Sequence, residues 1–127
     1  MYDLPPDFDF GLFADRYLFA VTFGASNVRL CLDKSSGPGI PESISVLVVG
    51  IFDLVIDGEK THARAEDPSS GTPVVKLLDQ CVTVAERVGK GGLRLRFGPQ
   101  DEILLIVDDT GFEGYTIFVP GEDPYVV

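Results

Sequence analysis

The stretch Gly89-Lys90-Gly91-Gly92-Leu93-Arg94-Leu95-Arg96-Phe97-Gly98-Pro99-Gln100-Asp101-Glu102-Ile103-Leu104-Leu105-Ile106-Val107 decides the fold class. Residues 93–97 alternate apolar and basic, the period of a half-buried strand. Gly98-Pro99-Gln100-Asp101 consists of turn formers, and residues 103–107 are a second, wholly apolar run. Two such runs around a short turn read as an antiparallel pair. The charges agree with that pairing. Arg87, Lys90, Arg94 and Arg96 occupy a window without acids, whereas residues 97–127 carry seven acids and no base. Opposite charges on adjacent strands favour their pairing.

The same grammar extends in both directions. Residues 16–23 are aromatic and β-branched and end at Gly24-Ala25-Ser26-Asn27, a turn. Residues 28–32 alternate, with Val28, Leu30 and Leu32 on one face. Residues 34–41 form a Ser/Gly/Pro loop. Residues 43–49 and 51–56 are two Val/Ile-rich strands separated by Gly50, a bulge or tight corner. Asp57-Gly58 is a turn, and residues 59–65 form a polar edge strand. Thr72 as N-cap with Pro73 at the first helical position predicts a short helix over residues 73–80. Val74, Val75, Leu77 and Leu78 would face inward. Strands follow at residues 81–88 and 115–119, with residues 120–127 as a tail. Leu30, Leu78, Val84, Leu95 and Phe97 are the expected core.

An ungapped slide of residues 12–32 onto 77–97, an offset of 65, superposes Leu12 on Leu77, Ala20 on Ala85, Gly24 on Gly89, Arg29 on Arg94 and Leu30 on Leu95. This reads either as an internal duplication, with repeats at residues 9–56 and 73–119, or as the alternation shared by any two hairpins of equal turn length. The fold class expected is α+β, mainly antiparallel β, in one domain spanning residues 1–127. A small barrel or a two-layer sandwich with one or two short helices satisfies the pattern, since both hide strand edges.

Composition narrows the function. The 127 residues hold 10 Lys+Arg against 20 Asp+Glu, a net charge of −10, and 45% apolar residues. That is enough apolar material for a real core. The charge opposes nucleic acid and anionic lipid, and no run is long enough to span a membrane. The segment Met1-Tyr2-Asp3-Leu4-Pro5-Pro6-Asp7 lacks the basic and apolar regions of a signal peptide, so a cytoplasmic location is expected. Cys31 and Cys81 read as free thiols.

Chemistry-bearing motifs are sparse. His62, in Lys60-Thr61-His62-Ala63-Arg64, has no second His or Cys nearby and reads as a surface histidine rather than a metal ligand. Asp108-Asp109-Thr110-Gly111-Phe112-Glu113 lacks the ligand spacing of a calcium loop and reads as a solvated turn. Gly89-Lys90-Gly91-Gly92 leads into a strand, not a helix, so it is a hairpin turn rather than a phosphate cradle. No catalytic, cofactor-binding or metal-ligating residues are assigned. Residues 103–107 are apolar on both faces. Leu104 and Ile106 therefore need cover from the helix, from the Arg94 and Arg96 stems, or from a second subunit, and Phe118 poses the same problem on the last strand. A homodimer through Leu104, Ile106 or Phe118 is expected.

Taken together, Val75-Lys76-Leu77-Leu78, Val82-Thr83-Val84-Ala85, Gly92-Leu93-Arg94-Leu95-Arg96-Phe97 and Phe112-Glu113-Gly114-Tyr115-Thr116-Ile117 resemble a family of small uncharacterised bacterial proteins, a domain of unknown function. That family has a Gly-Leu-x-Leu-x-Phe strand followed by an aromatic-Glu-x-aromatic element. Asp101-Glu102 stands here where the family pattern has an Asp-Gly turn. The resemblance implies a fold and no activity. The expected function is that of a non-enzymatic binding or interaction domain without cofactor. The alternatives are an acidic immunity or inhibitor protein against a basic protein partner, and a small carboxylate-dependent enzyme.

Overall fold

A computed structural model describes residues 3–34, 43–107 and 114–127. The Asp108–Glu113 turn and most of the Ser/Gly/Pro loop (residues 35–42) lie outside the described residues. Among the described residues ten strands form two antiparallel sheets that are not closed into a barrel and share one core, a two-layer sandwich. The strands are β1 (Arg16–Phe23), β2 (Val28–Lys34), β3 (Ile44–Val48), β4 (Ile51–Ile56), β5 (Glu59–Arg64), β6 (Val84–Val88), β7 (Gly92–Gly98), β8 (Asp101–Leu105), β9 (Tyr115–Phe118) and β10 (Tyr125–Val126). A 3-10 helix precedes β1 (Phe10–Phe13) and another precedes β6 (Pro68–Leu77).

The first sheet has the order β1-β2-β3-β9-β10, and the second, from its opposite edge, β6-β7-β8-β4-β5. Each is a three-strand meander extended by the hairpin that follows the other meander. The chain thus repeats one plan twice, a 3-10 helix and then five strands, and the two closing hairpins are exchanged between sheets. The halves also meet symmetrically. Leu18 N–H donates to Gln80 C=O (3.0 Å), Val82 N–H donates to Arg16 C=O (2.7 Å), and Tyr17 lies opposite Cys81. These contacts equate Arg16 with Gln80, Tyr17 with Cys81 and Leu18 with Val82, each pair 64 residues apart. Past the first turn the register moves by one, because Val28 and Leu93 hold matching places in β2 and β7. The structural equivalence therefore contains a one-residue step that the ungapped slide of 65 lacks. It retains Arg29/Arg94 and Leu30/Leu95 but separates Leu12 from Leu77.

The pairing read from residues 93–107 is present. Leu93 faces Leu105 and Leu95 faces Ile103. Arg94 Nε lies 3.1 Å from Glu102 Oε2, and Arg96 Nε 3.8 Å from Glu102 Oε1. Leu30, Leu95 and Phe97 are buried as expected. Several expectations need correction. The second helix begins at Pro68, not Pro73, and is 3-10 rather than α, so Thr72 is not its N-cap and Pro73 lies inside it. A three-residue period brings Gly71, Val74 and Leu77 inward and leaves Val75 and Leu78 exposed. Val84 is also exposed, because it stands opposite Arg96 on the outward side of β7. The strand expected from Cys81 begins at Val84, since residues 79–82 first run along the edge of β1. The tail contributes β10, whose Val126 pairs with Thr116, and Val127 is buried.

The second helix packs closely enough that a Cβ on Gly71 would stand 2.7 Å from Phe52 Cζ. The Tyr115 ring is fully buried, and its hydroxyl donates to the Gly91 carbonyl (2.8 Å). Burial, with the nearby Asp3 carboxylate, pushes the Tyr115 ionisation well above its ordinary value, and Arg87 opposes this. The unfolded chain releases its tyrosine protons near pH ~10. Above that pH the unfolded state binds fewer protons than the folded state, so this contribution to stability is intact below it and lost as pH rises through it.

Urea denaturation of Leu95→Ala is expected to show a loss of about 2–5 kcal/mol, the range for emptying a buried leucine site. Gly71→Ala is expected to lose about 1–3 kcal/mol by overpacking; an unchanged midpoint would contradict the Phe52 contact. Midpoints followed against pH should fall above pH ~10, and Tyr115→Phe should remove part of that fall.

Candidate functional site

The outward faces of the two sheets occupy equivalent places and carry different chemistry. Across the first sheet one outward row runs Thr22, Arg29, Leu47, Thr116, Val126. The matching row of the second sheet runs Glu86, Arg94, Leu104, Asp53, His62. Where one half places Thr116 and Val126, the other places a carboxylate and an imidazole. The first sheet is built without charge at the places that correspond to Asp53 and His62.

Asp53 sits in the otherwise apolar strand Ile51-Phe52-Asp53-Leu54-Val55-Ile56. Phe52 and Leu54 point into the core, so Asp53 points outward by alternation, yet it is only 7% exposed. Its carboxylate has two neighbours from β5: His62 Nδ1 lies 2.6 Å from Oδ1, and Lys60 Nζ lies 3.5 Å from Oδ2. The turn between β4 and β5 fixes this meeting. Asp57 (φ 53°) and Gly58 (φ 80°) are both left-handed, as a two-residue type I′ turn requires. That turn sets Ile56 opposite Glu59 and hence Asp53 opposite His62. A buried carboxylate on Nδ1 orients the ring. In the neutral ring, an Nδ1–H donated to Asp53 leaves the Nε2 lone pair directed away from it. His62 is highly exposed, and Nε2 has no partner among the described residues.

Beside this pair lies a cleft of about 440 Å³. Ile51, Ala63 and Ile106 supply its apolar lining, and Asp53, His62, Arg64, Asp67 and Ser70 its polar lining. Arg64 Nη1 is 3.2 Å from Glu66 Oε1, an ion pair exposed on both sides. Ser70 is held as a loop clamp: its Oγ donates to Asp67 C=O (2.6 Å) and accepts from Arg64 N–H (2.9 Å). The second 3-10 helix, which starts beside Asp67, thereby fixes the wall of the cleft.

His62 is a surface histidine, as its polar context indicates, but it is not an isolated one. Sequence reasoning passes over Asp53. The available signal was arithmetic: 53 and 62 sum to the same value as 57 and 58, so a two-residue turn at Asp57-Gly58 places them opposite each other. Leu104 and Ile106 are half-buried on the same outward face, and Ile106 enters the cleft. Phe118 lies on the outward face of the other sheet, with the Arg29 guanidinium 5.3 Å from its ring centroid. The structure therefore brings Leu104 and Ile106 together and separates both from Phe118. Among the described residues no group of three or more His, Cys, Asp or Glu side chains is placed to hold a metal ion. No helix of the described residues is long and apolar enough to cross a membrane. Cys31 is half-buried and Cys81 exposed, both as free thiols.

Asp53→Ala is expected to release the His62 ring. Long-range proton–nitrogen NMR should show one dominant Nδ1–H tautomer for neutral His62 in the parent protein and a mixture in the variant. The same tautomer ratio in both would remove the role assigned to Asp53. Comparison with family models, with curated proteins and with solved structures returned no match, so the residues themselves carry the functional argument.

Proposed function

We propose that this chain is a non-enzymatic binding domain whose ligand sits on the outward face of the second sheet, in the cleft beside Asp53 and His62. The observation that carries this reading is the contrast at equivalent places of the two faces: Asp53 and His62 stand beside a cleft where the other sheet has Thr116 and Val126. A binding site needs a few fixed polar groups around an apolar floor, and the cleft supplies them. An Asp–His pair is also the base half of many hydrolytic sites. Here the hydroxyl of the cleft, Ser70, spends its proton on a backbone carbonyl and accepts from Arg64 N–H, which favours structure over nucleophilic attack.

A homodimer through Leu104 and Ile106 would cover the surface the ligand uses, because Ile106 lines the cleft. Binding at this site therefore goes against a dimer through Leu104 and Ile106, whereas one through Phe118 on the other sheet would leave the cleft free. Light scattering at micromolar concentration in ~0.15 M salt should show no dimer that Ile106→Glu dissociates; such a dimer would favour the interface instead. The binding reading itself is tested by fragment screening with NMR detection. Hits are expected to shift signals of β4, β5 and β8. Hits confined to the Leu47/Phe118 face, or turnover of an ester or phosphodiester that disappears in His62→Ala, would defeat it.

A further inference from the structure

We infer that the ligand of this cleft is an apolar carboxylate with a hydrogen-bond donor beside the acid group, as found at the end of a peptide or in an N-acylated amino acid. The inference rests on reading the cleft as the binding site and adds the chemistry of its occupant. The polar groups of the cleft differ in how far they are already committed. Both Asp53 oxygens are engaged, by His62 and Lys60. Asp67 Oδ1 accepts from the Ser69 hydroxyl (2.8 Å), and the Ser70 hydroxyl is held by backbone. Three groups remain available to a ligand: His62 Nε2, the Arg64 guanidinium and the second oxygen of Asp67, which has no partner among the described residues. His62 Nε2 has no partner among the described residues, and Arg64 is tied only to the exposed Glu66. An exposed pair of that kind is worth little and exchanges readily for a better acceptor.

Arg64 offers several donors in a planar fork suited to a carboxylate. The neutral His62 ring, with Nδ1–H given to Asp53, offers an acceptor at Nε2. The two residues alternate on the same side of β5, opposite Ile51 and Asp53 of β4. An acid on Arg64 and an N–H or O–H on His62 therefore leave the rest of the ligand over Ile51 and Ile106. The apolar part has a surface to cover, so a bare inorganic anion would use only half the site. Asp67, whose second oxygen has no partner among the described residues, offers a further acceptor for the ligand's N–H or O–H.

The test is an NMR titration of the full chain, following the His62 ring and the Ile51 and Ile106 methyl groups. The probes are N-acetyl-leucine, its neutral amide, inorganic phosphate, and a tripeptide ending in leucine. N-acetyl-leucine is expected to shift all three sets of signals saturably, with the amide binding about tenfold weaker, as the loss of one charge-assisted contact implies. Arg64→Gln should weaken N-acetyl-leucine by a similar factor, and because Arg64 is exposed the rest of the spectrum should be unchanged. Tighter binding of the tripeptide assigns the source to a peptide end; equal binding assigns it to a free acid. Equal binding of acid and amide, or phosphate binding as well as the acid, would overturn the inference while leaving the cleft as a binding site. No saturable shift with any probe also overturns it. Shifts confined to the Leu47/Phe118 face would remove the binding reading as well.

Discussion

The fold depends on the hydrogen bonding at the point where each half hands its last hairpin to the other sheet. Val49 and Gly50 carry the chain from β3 to β4, and both of their N–H groups donate to the Gly114 carbonyl at 3.0 Å. Gly114 is itself the residue before β9, the strand that takes the place β4 vacates beside β3. Backbone polar groups in such a position must be paired. The first crossing is thus bonded to the residue at which β9 is entered. Each sheet is finished by strands that belong to the opposite half, and the shared core of leucine, isoleucine, valine and phenylalanine is sealed by both. Edge protection follows the same exchange. The second 3-10 helix lies along β4, β5 and β1, while the first lies against β6. Arg87 of β6 reaches back to the Leu4 and Pro5 carbonyls at 3.0 and 2.9 Å, which ties the N-terminal segment over that edge.

A scaffold built twice offers an internal comparison. Inward positions are apolar in both halves because both contribute to one core. Outward positions are free to differ, and they do. Arg29 of the first sheet reaches Ser45 and the face of Phe118. Its counterpart Arg94 is clamped by Glu86 and Glu102. Thr116 and Asp53 are both buried polar side chains at matching places, but only Asp53 is faced by an imidazole and an ammonium. Asp53 and His62 thus stand where the other sheet has Thr116 and Val126, and this contrast is what gives the cleft its functional weight.

The strands and most of their turns were legible because alternation, Gly/Asn/Asp turns and opposite charges are local signals. The antiparallel pairing of residues 93–97 with the run that follows could be read, but not its ends: β8 spans Asp101–Leu105 rather than residues 103–107. Leu78 and Val84 look like core residues by hydropathy. Leu78 is exposed by the three-residue period of a 3-10 helix, and Val84 by its register opposite Arg96 on the outward side of the sheet. Thr72-Pro73 resembles a helix start, yet Pro68 already provides one, and a 3-10 helix tolerates the second proline. The tail shows no strand pattern, and Tyr125–Val126 becomes a strand only because β9 offers an edge. The Asp53–His62 pair was encoded in a two-residue turn and went unread, since a single acid in an apolar strand draws attention only once its register partner is known.

The hairpin exchange also has a temporal consequence. On a ribosome the first half emerges complete in sequence but incomplete in partners. β3 and β4 are made early, whereas the strands that flank them, β9 and β8, lie in the last third of the chain. Until those arrive, two Val/Ile-rich edges stand open, the kind of surface that recruits foreign strands. A topology of distant pairings is also slow to form. The nascent chain therefore stays vulnerable until β8 and β9 have been made, and chaperone dependence would be set by that interval more than by the stability of the finished sandwich.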